Sequence, residues 1–208
     1  MAKQKGDHLI YGIGHSSKIN PITIDGMTVK EYETWKGMLK RCRDEQYLSR
    51  EPAYDGCIVS DEWLYYDNFY DWVTSQENYQ KWKDGDRKWA IDKDIICKGN
   101  KVYSKETCFL VPQNVNNLFT NRKLHRGKYP IGVDYLKKLN KFRASCMNPF
   151  TGKQEYIGVY NSEYSAFEAY KSYKENIIHQ VADQEFKNNN ITEMCYLAML
   201  HYQIEIND

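Results

Sequence analysis

Between Ile131 and Val181 the chain reads as three short strand-like runs followed by one long helical run, and this order constrains the fold more than any other feature. The runs Ile131 to Tyr135, Lys141 to Cys146 and Glu155 to Tyr160 are separated by turn-forming residues, the last two by Asn148-Pro149-Phe150-Thr151-Gly152-Lys153. In the second run Phe142 and Ala144 alternate with Lys141, Arg143 and Ser145, so a two-residue period sends the first pair to one face and the cationic set to the other. In the third run the same period puts Ile157 and Val159 on the buried face and Tyr156 and Tyr160 on the open one. The helical run begins at Ser162 and carries Ala166, Phe167, Ala169, Tyr170, Tyr173, Ile177, Ile178 and Val181, an apolar face able to cover one side of a three-stranded sheet. The expected fold class is α+β.

Charge is segregated along the chain although the net value is only +1. Residues 122–174 hold eleven basic and four acidic side chains, and from Arg122 to Lys153 there are nine basic residues against the single Asp134. Residues 44–94 are the opposite, with six basic and thirteen acidic side chains, and residues 175–208 carry one basic and six acidic. A basic module between acidic ones has the local field of a polyanion contact.

Upstream, Tyr32, Trp35, Leu39 and Cys42 fall at helical spacing, with Thr28 and Glu31 as a capping box, and a second aromatic helix is expected from about Ser60 to Trp72. Trp89 to Asp92 and Lys101 to Tyr103 read as short strands around the turn Lys98-Gly99-Asn100, and Val111 to Leu118 as the start of a short helix. Ile191 to Ile206 forms a terminal helix that packs internally or makes a dimer contact. The six cysteines have no CxxC spacing and read as free thiols, a four-thiolate zinc site from Cys42, Cys57, Cys97 and Cys108 being the alternative.

Two blocks of residues resemble known families. Ile131-Gly132-Val133, Lys141-Phe142-Arg143-Ala144, Gly152-Lys153, Tyr156-Ile157-Gly158-Val159-Tyr160-Asn161-Ser162 and Ala166-Phe167-Glu168-Ala169-Tyr170 together resemble an AP2-type DNA-binding domain over about fifty residues. Trp35, Met38, Arg41-Cys42, Trp63, Phe69, Asp92-Lys93, Tyr103-Ser104, Cys108 and Asn116-Asn117 resemble the N-terminal part of phage HNH homing-endonuclease-like proteins that carry such a domain. The first resemblance implies a three-stranded antiparallel sheet laid in the major groove of double-stranded DNA with a helix behind it. On that sheet Tyr135, Lys137, Lys141, Arg143, Lys153 and Tyr156 are the candidate DNA-facing residues, Arg and Lys for base edges or phosphates and Tyr for phosphate or sugar.

The second resemblance implies a ββα unit holding Mg²⁺ or Mn²⁺, with Asp92 at the metal-ligand position and Asn117, or else Asn116 or Asn114, on the helix. The residue after Asp92 is Lys93, where these nucleases have the His that acts as general base. An ordinary lysine is protonated at neutral pH and does not take a proton from water. Asp94 as an alternative base and Thr107, where the resembling proteins have Asn, mark further departures.

The expected organisation is an extension over 1–27, a helical and degenerate HNH-like ββα region over 28–121, an AP2-like domain over 122–182 and a C-terminal helix over 183–208. The expected function is a phage-type double-stranded-DNA-binding protein on a disarmed nuclease scaffold. Its competitors are an active HNH-type homing or nicking endonuclease working through Asp92 and Lys93, and a phage protein that binds a host protein through the acidic 44–94 block. A mean hydropathy of -0.77, no apolar run of membrane length and no apolar segment behind Met1 to Asp7 set the expectation of a cytoplasmic protein, in the host cytoplasm if phage-encoded, with no membrane partner.

Overall fold

A computed structural model describes residues 9–17, 19–85, 88–120 and 127–208. His8, and Arg122, Lys123, His125 and Arg126 of the basic stretch, lie outside the described residues. The chain is mixed α+β and divides into two compact units, Met1–Pro112 and Gln113–Asp208. The division falls ahead of the expected boundary at 121/122 and assigns the short helix before it to the second unit. Among the described residues no helix is long and apolar enough to cross a membrane.

The first unit is an aromatic core wrapped by short elements. Helix α1 (Lys30–Arg43) buries Trp35, Met38 and Leu39 completely, and α3 (Tyr66–Ser75) answers with Tyr66, Phe69 and Val73. Between them lies α2 (Glu45–Arg50), and α4 (Tyr79–Asp84) adds Trp82. Trp63, in a single 3-10 turn over Asp61–Leu64, accepts a hydrogen bond at its carbonyl from Trp35 Nε1 (2.7 Å) and meets Phe69 edge-on at 5.2 Å. That turn, followed by the extended Tyr65, starts α3 later than the aromatic spacing predicts. Gly14 lies under the same core, where a Cβ would come within 2.3 Å of Leu39 and 2.9 Å of Trp35.

The capping box does not form at α1. Val29 is the N-cap and makes no side-chain cap bond, while Glu31 is buried and turned to a tertiary partner set, accepting from the Tyr79 hydroxyl and pairing with Lys83 at 3.1 Å. Burial alone would raise the Glu31 carboxyl, but the Tyr79 and Lys83 bonds hold it below the usual carboxylate range.

The strands of this unit are the hairpin β1 (Thr23–Ile24) with β2 (Met27–Thr28), then β3 (Ile58–Val59), β4 (Trp89–Asp92), β5 (Val102–Tyr103) and β6 (Phe109–Pro112). β4 pairs antiparallel with β6, and β5 pairs in parallel with β3. Phe109, Leu110 and Val111 are all buried, so this run reads as a strand covered on both faces, and the helix expected from Val111 begins only at Gln113.

The second unit opens with α5 (Gln113–Phe119) and continues with β7 (Val133–Leu136), β8 (Lys141–Asn148) and β9 (Lys153–Tyr160), an antiparallel sheet in the order β7-β8-β9. Helix α6 (Glu163–Lys187) packs on all three strands, and α7 (Glu193–Leu200) packs on α6. The N-cap of α6 is Ser162, whose hydroxyl accepts from the Ser165 amide at 3.1 Å. Ala144 and Cys146 of the sheet and Ala166, Phe167, Tyr170, Ile177 and Ile178 of the helix are buried.

Gly132 holds the sheet close to the helix. It has a φ of +75°, and a Cβ there would stand 2.0 Å from the Tyr170 ring. Both strain and overlap follow from any side chain, so Gly132→Ala is expected to destabilise the protein by about 2–4 kcal/mol, read from urea unfolding.

Lys174 is the one buried lysine on α6, and its stem runs through the same layer. Burial pulls its ammonium below the ordinary lysine range, opposed by Cys146. The folded state therefore holds this proton less tightly than the unfolded chain, and stability gains from this group as pH rises through the window just below the ordinary value. Lys174→Met, which keeps the length and drops the charge, is expected to raise the thermal midpoint, with an advantage over wild type that narrows as pH rises; calorimetry from neutral to alkaline pH checks both.

Candidate nucleic-acid interface

In an antiparallel sheet, residues directly opposite each other point to the same side, so the register assigns the faces. Ala144, opposite Val133 and Gly158, looks toward α6 together with Cys146 and Phe142. The other face carries Lys141, Arg143, Ser145 and Met147 from β8, Asp134 and Leu136 from β7, and Gln154, Tyr156 and Val159 from β9. Lys141 and Arg143 are exposed, Met147 is 54% exposed and Tyr156 66%. Lys137 stands exposed in the β7–β8 turn, whereas Lys153, exposed at the start of β9, pairs with Asn148 and so lies on the helix side of the sheet, apart from the expected DNA-facing set.

A bulge changes two expectations in β9. The register slips between Ala144 and Ser145, which pair with Gly158 and Tyr156, leaving Ile157 as the extra residue. Beyond it the alternation is reset: Val159 lies opposite Arg143 on the open face, and Tyr160 lies opposite Phe142 on the helix face. Tyr135 also departs from the expected DNA-facing set. It pairs with Phe142, its ring stands 5.2 Å from that of Phe142 and 6.1 Å from that of Tyr129, and its hydroxyl donates to Asn140 Oδ1. Tyr135 thus closes the β7–β8 turn on the face opposite Arg143.

The centre of the open face is an ion pair. The Arg143 guanidinium grips Asp134 across the strands, with Nη2 to Oδ2 at 2.6 Å and Nε to Oδ2 at 2.8 Å, both side chains a little under half exposed. The Nε and Nη2 edge is thereby spent, and the N–H groups of the Nη1 side remain. A shallow groove of about 250 Å³ runs beside the pair, lined by Gly127, Tyr129, Pro130, Gly132, Val133, Asp134 and Ser145. In the sequence Asp134 is only the lone acid in a basic stretch; its position opposite Arg143 depends on the register.

In the first unit Asp92 ends β4 and is 6% exposed. Its Oδ1 accepts from the Asp94 and Ile95 amides at 2.8 and 3.0 Å, an Asx turn that shapes the loop after the strand. Burial pushes the Asp92 carboxyl up to about 6, against the pull of those two amides. Lys93 is buried and donates to Asp94 Oδ2 at 2.8 Å and to the Asn100 carbonyl at 2.6 Å, pinning the loop rather than facing a reacting water. Thr107 donates to the Val102 carbonyl at 2.8 Å.

Asn117 belongs to the second unit, on α5, where its Oδ1 accepts from Gln113 Nε2 at 2.9 Å, and Asn114 donates to the buried Glu185 of α6 at 2.8 Å. Asp92 Oδ1 and Asn117 Oδ1 each accept hydrogen bonds from within their own element or loop, and among the described residues no three His, Cys, Asp or Glu side chains gather into a metal-binding group. The six cysteines are free thiols, Cys42 and Cys108 each pushed up to about 12 by burial.

No family model matches the chain, and neither a curated protein nor a solved structure matches it.

Asp134 opposes any polyanion that approaches the sheet while holding Arg143 in one direction. Asp134→Asn is expected to tighten binding to random-sequence duplex DNA by several-fold and to steepen its salt dependence, measured by fluorescence anisotropy across a salt series.

Proposed function

We propose that this protein binds double-stranded DNA through the open face of the β7–β8–β9 sheet, in the manner of an AP2-type domain, and that its N-terminal unit is a degenerate HNH-like scaffold. The observation that carries the reading is the register of β8, which puts Lys141 and Arg143 side by side on the exposed face and the apolar residues of the strand on the helix face. Tyr156 extends that face along β9 and Lys137 borders it at the β7–β8 turn, a layout that suits phosphates beside base edges. The guanidinium edge that Asp134 leaves free has the two-donor geometry that a guanine edge accepts. The charge of the segment supports the same partner: residues 122–174 have eleven basic against four acidic side chains.

A second reading, a nicking endonuclease, draws on the chain order β4, β6, α5, which is that of a ββα unit, and on Asp92 at the end of β4. The binding reading is preferred because Asp92 and Lys93 are both consumed in fixing their own loop.

Selection from a mixed pool of duplex fragments in the presence of Mg²⁺ or Mn²⁺, read for both retained fragments and new nicks, separates the two. Enriched fragments without nicks support the binding protein, and nicks lost in Asp92→Ala support the endonuclease. The double variant Lys141→Ala with Arg143→Ala is expected to weaken duplex binding by roughly 10- to 100-fold while leaving the thermal midpoint close to wild type. Unchanged binding of that variant at low salt overturns the sheet reading.

A further inference from the structure

At the C-terminal end of α1 a cation stands without an acid. Arg41 is half-buried, its guanidinium lies 5.7 Å from the Tyr54 ring and hydrogen-bonds the Tyr47 side chain, and the phenols of Tyr103 and Tyr54 act on its charge. Among the described residues no carboxylate pairs with it. Tyr47 and Tyr54 lie ring against ring at 5.8 Å, and Tyr103 is 3% exposed at the back of the cluster. The neighbouring cations are differently placed. Lys93, 5.7 Å over the Tyr103 ring, is already paired with Asp94; Lys40 lies 5.6 Å over the Tyr47 ring; and Lys101 donates to the carbonyl of Ala53, beside Tyr54. Glu51 and Asp55, the acids closest to Tyr54 in sequence, are exposed.

Taking a guanidinium partly out of water without a counter-charge is costly, and folded proteins offset it with a carboxylate or a bound anion. The surroundings of Arg41 are rich in donors: the N–H groups of its fork not given to Tyr47, and the phenolic hydroxyls of Tyr47, Tyr54 and Tyr103. A guanidinium fork takes two oxygens of a phosphate together, and phenols serve the remaining ones. With the nearly buried Tyr103 at the back, a compact end group enters more readily than the interior of a strand.

We propose that Arg41, Tyr47, Tyr54 and Tyr103 form a phosphate-binding site in the first unit, taking free phosphate or the terminal phosphate monoester of a nucleic-acid strand. The site is built from the first unit alone and stands or falls independently of the sheet.

The test uses the full chain and inorganic phosphate as the probe. Phosphate is expected to raise the thermal midpoint well beyond the effect of chloride at matched ionic strength. Arg41→Met is expected to abolish that rise and, in phosphate-free buffer, to melt close to wild type, since it gives up the Tyr47 bond together with a partly buried charge that has no carboxylate and keeps the packing. Tyr103→Phe, which removes one hydroxyl, is expected to fold normally and to weaken phosphate binding by about tenfold, the loss of one charge-assisted hydrogen bond.

Two oligonucleotides of one sequence, with a 5′-phosphate or a 5′-hydroxyl, separate the sources. Tighter binding of the phosphorylated strand by wild type but not by Tyr103→Phe assigns strand ends, and equal binding of the two alongside a response to inorganic phosphate assigns the free ion. A phosphate effect no larger than that of chloride, or one that survives in both Arg41→Met and Tyr103→Phe, overturns the proposal.

Discussion

The contact of the Tyr170 ring with Gly132 is the constraint on which the second unit depends. It brings α6 against β7–β9 at a distance no side chain at position 132 allows, and the helix can then bury Ala144 and Cys146 beneath it. Because β8 alternates without interruption, fixing Ala144 and Cys146 inward leaves Lys141 and Arg143 outward. The cationic face is thus a consequence of apolar packing on the other side of one strand. The apolar area removed from water stabilises the unit, and the charges stay hydrated.

Where local chemistry decided the outcome, the sequence was readable. Ser162 caps α6 through its own hydroxyl, and the two-residue period of β8 shows which side chains are buried. Where a partner distant in sequence decided, it was not. Glu31 has the spacing of a capping box, yet Tyr79 and Lys83, some fifty residues away, take its carboxylate. Phe109 to Val111 is apolar at every position, a pattern shared by a strand covered on both faces and a buried helix segment, and only pairing with β4 separates them. The bulge at Ile157 left no mark in composition, so Val159 and Tyr160 exchanged faces. Of the candidate sheet residues, Lys141, Arg143 and Tyr156 stand on the open face, Lys137 at its border, and Tyr135 and Lys153 on the reverse.

Positive side chains meet several fates in this chain, and burial sorts them. Lys93 is buried and bonded to a carboxylate and a carbonyl, so its charge serves the loop. Lys174 is buried beside a thiol and pulled toward its neutral form. Arg143, nearly half exposed, shares its charge with Asp134 and keeps donors free. A charged residue type by itself therefore says little about binding; what matters is how many of its donors the fold has already used.

The bulge in β9 has a consequence beyond the direction of two side chains. β9 is an outer strand of its sheet, and an outer strand offers its free amides and carbonyls as a template for the strand of another molecule. The extra residue at Ile157 interrupts that row midway and adds local twist, so an incoming strand loses register after a few residues. The irregularity thereby makes the β9 edge a poorer template for strand addition than a regular edge of the same length.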